Sequence, residues 1–501
     1  MRTTLDQPGS SPERWLMLIG GDWVPGTRGE WADVVAPSRP GVVLATVPEG
    51  TAEDVDVAVG RAAEAFPAWR ALHFRERQQA LLAIAADLAA EAEDFAVLTA
   101  QDTGNALRTQ ARPESATLVD LFRYFGGVAG EFKGAVLPSG NGQLQYTRRE
   151  PLGVVGAILP WNSPLMIAGM KIPAALAAGN TMVVKPAEDA PLTILKLAEM
   201  CNRHLPPGVL NVVTGLGSTV GAAITAHPGI AKVSFTGSTA VGRSVAADAG
   251  RRLVPVSLEL GGKSPNIVFP SAATPQRLAE TVEGTLLAMR FTRQGQSCTA
   301  GSRLLVHSDV YDEFLAALHD RVAQLVVGDP LDEASDMGSI INQKQYDTIR
   351  GYVDEGLAQT GARAILDGRE VRPSGPAGSE GGYYMGPSII ADVDPSWRIA
   401  REEIFGPVLV ATPWTDRADA VRIANSTSYG LAAYVWSHDL DEAILTAHEI
   451  ESGWVQVNQG GGQVIGQAYG GYKDSGMGRE FSLEGALESM TQTKQVNIKL
   501  S

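Results

Sequence analysis

The sequence predicts an α/β protein with a parallel sheet and crossover helices, and two observations point there. Beyond residue 150, short apolar stretches (Val154 to Leu159, Thr181 to Lys185, Val209 to Thr214, Lys232 to Thr236) alternate with helical ones, the pattern of βαβ units. The chain also holds 501 residues, 44% of them hydrophobic and 19% charged, whereas a single core stops growing near about 250 to 300 residues. Two large domains or more are expected.

The elements follow in chain order. The apolar stretch Trp15 to Ile19 is bracketed by Arg14 and Asp22. It is far too short for a signal sequence or a membrane span, so a cytoplasmic protein is expected. Thr51-Ala-Glu-Asp54 precedes apolar Val55, Val59, Ala62 and Phe66, which reads as a capping box opening an amphipathic helix. A second helical run spans Arg75 to about Thr99. Gly134 to Pro151 carries the turn Ser139 to Gly142 between extended segments, a hairpin signal. After the alternating region, Gln459-Gly-Gly-Gly462 reads as a flexible loop and Thr491 to Leu500 as a terminal strand. A projecting hairpin and a terminal strand both need pairing partners, so a homodimer or homotetramer is expected.

Charge and rare residues exclude several classes. There are 41 basic against 56 acidic residues, a net charge of −15, which opposes the electrostatic attraction that drives binding to nucleic acids and anionic membranes. Neither partner is expected. The cysteines are Cys201 and Cys298, and in a reducing compartment a pair so far apart reads as two thiols. The histidines are scattered; His204 beside Cys201 is a lone pair without further ligands, so no metal is expected.

Four segments carry candidate chemistry. Gln294-Gly-Gln-Ser-Cys298-Thr-Ala-Gly sets a thiol among small and polar residues, whereas Cys201 lies in a helical run beside Met200; the first suits a nucleophile, although a free cysteine is often only a small buried hydrophobe. Glu259 sits in an apolar stretch before a glycine pair. Partial desolvation there would raise its pKa toward general-base work; the alternative is a charge paired with Lys263. Asn162 lies between Pro160 and Pro164 just after an apolar strand, placed either to donate to an oxyanion or to form an Asx turn. Finally, Val183-Val-Lys185-Pro-Ala-Glu188 ends a strand, and Phe235-Thr-Gly237-Ser238-Thr-Ala-Val-Gly242 runs from a strand through a turn into a helix. That helix start suits an anionic phosphate. Gly215-Leu-Gly217-Ser-Thr-Val-Gly221 only approaches the dinucleotide fingerprint, and each such turn is equally readable as structural.

Together and in this order, the segments resemble the aldehyde dehydrogenase superfamily, from about Trp15 to Leu500. The matching motifs are Gly295-Gln-Ser-Cys298, Leu258-Glu259-Leu-Gly-Gly-Lys-Ser-Pro, Pro-Trp-Asn162, Lys185 with Glu188, and Gly237 to Gly242. Glu402-Glu403-Ile-Phe405-Gly-Pro407 and Gly470-Gly-Tyr-Lys473-Asp-Ser-Gly-Met-Gly-Arg-Glu480 match as well. The resemblance implies an aldehyde dehydrogenase-like fold. A doubly wound Rossmann-type NAD-binding domain (residues 1–129 and 151–261) would accompany an α/β catalytic domain (262–474) and a small oligomerisation element (130–150 and 475–501).

The same resemblance implies roles. Cys298 is the nucleophile, Asn162 and the Cys298 backbone N–H hold the oxyanion, Glu259 activates the hydrolytic water, and Lys171 is a lysine near the site. NAD is the implied cofactor. Lys185 and Glu188 would bind the adenosine ribose, with the carboxylate repelling a 2′-phosphate. Gly237, Ser238 and Gly242 would bind the pyrophosphate, and Glu403 and Phe405 the nicotinamide riboside, with Trp161, Gly215 and Leu260 alongside. Glu259 favours a free acid product over the acyl-coenzyme A released by relatives lacking that glutamate. A non-catalytic protein retaining the fold is the other alternative.

Met166, Met170, Ser297, Thr299, Gln463 and Tyr469 are the implied substrate-tunnel residues, and none is charged. An aromatic or medium-chain aliphatic aldehyde is therefore expected. The chain departs from the family in four ways, one being the run Gly460 to Gly462 near the implied substrate mouth, which with Thr292 suggests a roomier or more mobile entrance. The Glu259 to Cys298 stretch is longer than usual, with the surplus placed in a surface loop around Ser271 to Arg277. Thr292 stands where many relatives carry an aromatic, and Ala468-Tyr469 replaces the frequent Pro-Phe.

Overall fold

In a computed structural model the chain is described over residues 12–375 and 381–500. Its larger sheet has eight strands. In spatial order the parallel ones are Val256–Glu259, Ile230–Thr236, Val154–Ile158, Thr181–Lys185 and Leu210–Val212. Gly476–Met477 closes one edge antiparallel and Met17–Ile19 with Asp22–Val24 the other. The parallel strands begin in the middle, at Val154–Ile158, wind outward one way through Thr181–Lys185 to Leu210–Val212, and then cross back to Ile230–Thr236 on the other side. This doubly wound order has its switch point between Val154–Ile158 and Ile230–Thr236, where the loops leaving the strands part and open a crevice.

Burial on both faces explains the continuous apolar strands. Val155, Ala157, Met182 and Val184 enter one core, together with Leu121 and Leu176 from covering helices. Their neighbours Val154, Ile158 and Val183 enter a second core with Val55, Val59 and Ile224, as the period of two requires.

The second sheet has seven strands. Arg303–His307, Pro265–Val268 and Val408–Trp414 lie near its centre, parallel to one another and to Ala432–Trp436. A three-stranded antiparallel sheet joins Val136–Leu137, Gln143–Pro151 and Thr491–Lys499. The predicted hairpin and terminal strand thus pair with each other within one chain. From the segment 475–501, only Thr491–Lys499 lies in this small sheet, since Gly476–Met477 extends the larger one.

The helix Ala52–Ala71 starts at the expected capping box, with the Asp54 carboxylate accepting from the Thr51 N–H at 2.8 Å. The run from Arg75 is a correction: it forms two helices, Phe74–Ala90 and Ala92–Thr103, broken at Glu91. Neither Gly nor Pro marks the break, where the Glu91 carboxylate reaches Lys196 at 3.4 Å and Arg203 at 3.2 Å from a distant helix. The segment from Ser271 is only partly a surface loop, because Ala272 and Ala273 are buried and Ser271 Oγ lies 3.1 Å from Ser437 Oγ. No described helix is long and apolar enough to cross a membrane.

Candidate active site

A cleft of about 650 Å³ opens at the switch point. The segments leaving Val154–Ile158 and Ile230–Thr236 line it with Trp161, Asn162 and Ser238, and the loops preceding strands of the second sheet supply Cys298, Glu403 and Phe405. Cys298 owes its place to a strained approach. Gln294 and Gly295 both adopt left-handed backbone, with φ of 53° and 63°, and a side chain on Gly295 would run into the Gly406 carbonyl oxygen. Only glycine fits there. The opposing strand end is equally close, since a Cβ on Gly262 would collide with the Cys298 carbonyl oxygen.

The Cys298 thiol is pushed up to about 12, first by burial and then by the Glu403 carboxylate, with the Tyr469 hydroxyl at 3.8 Å pulling it back in part. Among the described residues its backbone N–H has no hydrogen-bond partner. Asn162 faces the same loop, its Nδ2 donating to the Gln296 carbonyl at 3.0 Å, which fixes the amide and leaves its second N–H available. The reading of Asn162 as an Asx turn is therefore not what is found. Its own carbonyl accepts from Asn105 Nδ2 at 3.1 Å, and the helix Pro164–Ala178 begins just beyond. That helix start is capped from another helix: the buried Glu114 carboxylate accepts from the Leu165 and Met166 amides at 2.8 and 3.2 Å.

Glu259 ends the strand Val256–Glu259 at the cleft. Its pKa is raised well above the usual carboxylate range by burial, with the nearby Glu480 carboxylate adding to the rise, and its Oε2 lacks a hydrogen-bond partner among the described residues. Lys263 does not pair with it. Its amino group has no hydrogen-bond partner among the described residues and is pulled down to about 7, chiefly by burial. Lys171 is fully buried behind Glu259, with Nζ 2.9 Å from both Glu480 carboxylate oxygens and from Ser234 Oγ.

On the far side of the crevice, Ser238 caps the helix Thr239–Arg252 and Leu260 packs against Gly242. Glu403 accepts from the Gly262 N–H at 2.9 Å and is pushed up to about 7 by burial. Phe405 meets Trp161 edge-on at 5.3 Å. Glu188 lines the cleft, whereas Lys185 lies beneath it, its Nζ 2.9 Å from Glu188 Oε2.

The structure gathers Cys298, Glu259, Asn162, Trp161, Glu188, Gly237, Ser238, Leu260, Glu403 and Phe405 around one cleft, with Met166, Ser297, Thr299 and Gln463. It does not bring Met170, Lys171, Lys185, Gly215, Gly242 or Tyr469 to the lining. Met170 is packed in the core with Ile172 and Leu118, and Tyr469 reaches Cys298 only with its hydroxyl. The implied tunnel residues are uncharged, and the cleft lining also holds Arg293. Thr292 is absent from that lining. Glu480, Glu114 and Arg293 were missed; the glycine-rich motif before Glu480 was a signal for the first, while nothing local marked the other two. Within the run at Gln459 to Gly462, Arg290 donates to the Gly460 and Gly461 carbonyls at 3.0 and 2.7 Å.

Comparison with known proteins agrees with this architecture. Residues 23–496 match the aldehyde dehydrogenase family, and the chain belongs to it. A hydroxyisobutyraldehyde dehydrogenase from Mycolicibacterium austroafricanum is 39% identical over 97% of this chain and 94% of its own. An aldehyde dehydrogenase from Vibrio cholerae is 39% identical over 92% and 90%. The structure of a Bacillus cereus aldehyde dehydrogenase in complex with NAD+ superimposes with a TM-score of 0.92 at 34% identity, covering 98% of this chain and 97% of that one. An NAD-dependent aldehyde dehydrogenase from Sinorhizobium meliloti gives 0.93 at 36% identity, covering 98% and 95%.

Proposed function

We propose that this chain oxidises an aldehyde to its carboxylic acid with NAD, through a thioester on Cys298. The observation that carries the reading is the convergence of a loop thiol, a free N–H, a fixed amide and a partly desolvated carboxylate on one cleft.

The lining fits a dinucleotide. The capped start of Thr239–Arg252 offers amides to a pyrophosphate, Glu188 lines the cleft where ribose hydroxyls could donate, and Glu403, close enough to act on Cys298, lines it together with Phe405. Its NAD-bound relatives support the same cofactor. When bound, NAD supplies the acceptor for the hydride expelled from the aldehyde carbon.

The residues of the chain do the rest. Sγ of Cys298 bonds to the aldehyde carbon after its proton has left, and the negative charge moves to the carbonyl oxygen, where the Cys298 N–H and Asn162 Nδ2 stabilise it. Burial keeps the resting thiol protonated, so attack draws on the small thiolate fraction, whose proton has passed to solvent. After hydride loss, Glu259 takes a proton from the water that attacks the thioester carbon, and the thiolate leaves as the acid forms. This hydrolytic role favours a free acid over an acyl-coenzyme A. Glu259→Gln tests it: one NADH per active site should form in a burst, followed by a stalled thioester, whereas undiminished steady turnover would count against the role.

The small sheet exposes Val136, Leu137, Leu144 and Ile498, which supports a homo-oligomer built on it.

A further inference from the structure

Arg293 is unlike the other arginines around the site. Arg290 spends its guanidinium on the Gly460 and Gly461 carbonyls and the Tyr434 hydroxyl, and Arg303 donates to the carbonyls of Lys263, Ile423 and Ala424. Buried donors are normally satisfied in this way. The Arg293 guanidinium has neither an ion pair nor a hydrogen bond among the described residues, and it lines the cavity with Cys298, Met166 and Gln463.

Its position is fixed. Arg293 ends the short 3-10 helix Phe291–Arg293, and the left-handed Gln294 and Gly295 follow. The group remains a cation at neutral pH, although burial and the neighbouring Arg290 bring its pKa down to about 10. The opposite charge that acts on it is Glu114, but no ion pair forms, and the Glu114 oxygens already accept from Leu165, Met166 and Gln110. A cation held without a partner in a partly desolvated wall is costly. A ligand bringing its own anion would remove that cost, and a planar guanidinium matches a carboxylate with two parallel hydrogen bonds.

We propose that Arg293 is a carboxylate-recognising group, and that the aldehydes this chain oxidises best carry a carboxylate at the end away from the formyl group. The proposal rests on the aldehyde-oxidising reading and replaces the expectation of an uncharged tunnel. Gln463, in the same lining, adds neutral donors and acceptors.

The test compares matched pairs: 4-oxobutanoate with butanal, and 4-carboxybenzaldehyde with benzaldehyde, each followed as NADH with NAD. In the parent protein the carboxylated member of at least one pair should have the higher kcat/KM by about 10-fold or more, the scale of one hydrogen-bonded charge. Arg293→Gln should lower that ratio by about 10- to 100-fold, mainly through KM of the carboxylated aldehyde, and Arg293→Lys should keep part of it. Equal or reversed preference in the parent overturns the proposal without any variant. So does a preference that survives in Arg293→Gln, or a loss equal for both members, which would make Arg293 a structural counter-charge to Glu114. Absence of NADH with all four aldehydes would instead strike the underlying activity.

Discussion

Asn162 and Glu259 illustrate how the environment turns ordinary side chains into chemistry. The Asn162 amide is pinned by the Gln296 carbonyl, so Asn162→Ala should remove a preorganised donor and lower kcat by about 100- to 1000-fold, read as NADH formation at saturating aldehyde; a loss under tenfold would remove it from the oxyanion site. Glu259 acts as a base only when ionised, and burial and Glu480 raise its pKa. Steady-state kcat should therefore fall as the pH is lowered through that raised value, and the acid limb should vanish in Glu259→Gln; an acid limb unchanged in the variant belongs to another group. Thiolate is scarce in the resting protein because Cys298 is pushed up to about 12. Alkylation by iodoacetamide without cofactor should thus speed up roughly tenfold per pH unit from neutrality upward, and a plateau near pH 8 would contradict that. These residues were legible because each sits in a short local motif. Arg293 was not, since its significance lies in having no partner among the described residues, and that is a property of the packed cavity.

Elements were legible where their signals are local. The capping box at Thr51 and the strand Thr181–Lys185 are where the pattern put them, because spacing and end residues decide both. The break at Glu91 was illegible, since neither Gly nor Pro marks it and the partners of its carboxylate, Lys196 and Arg203, lie about a hundred residues away. The helix Pro164–Ala178 shows the same division: its proline start was in the sequence, but its Glu114 cap and the partner of its Lys171 come from other elements. Lys171→Met would leave Glu480 as an unpaired buried carboxylate beside Glu259. A destabilisation of about 3 to 5 kcal/mol is expected from chemical denaturation, and a change below about 1 kcal/mol would mean the pair is dispensable.

At the scale of the whole molecule, the two sheets matter because each brings only half of the chemistry. The doubly wound sheet contributes Asn162, Ser238 and Glu259 from the ends of its strands, and the second sheet contributes Cys298, Glu403 and Phe405 from loops entering its own. Alternating strands and helices predicted this class of fold, but the meeting of the halves at one cleft came from the resemblance and not from periodicity. The claim that this meeting makes an aldehyde-oxidising thiol is tested most directly by one measurement. Purified protein with NAD and a panel of aliphatic, aromatic and carboxylated aldehydes is followed for NADH, beside Cys298→Ala shown to be folded by its melting temperature. NADH from the parent and none from the folded variant is the expected result; equal NADH from both, or none from the parent with any aldehyde, would contradict it.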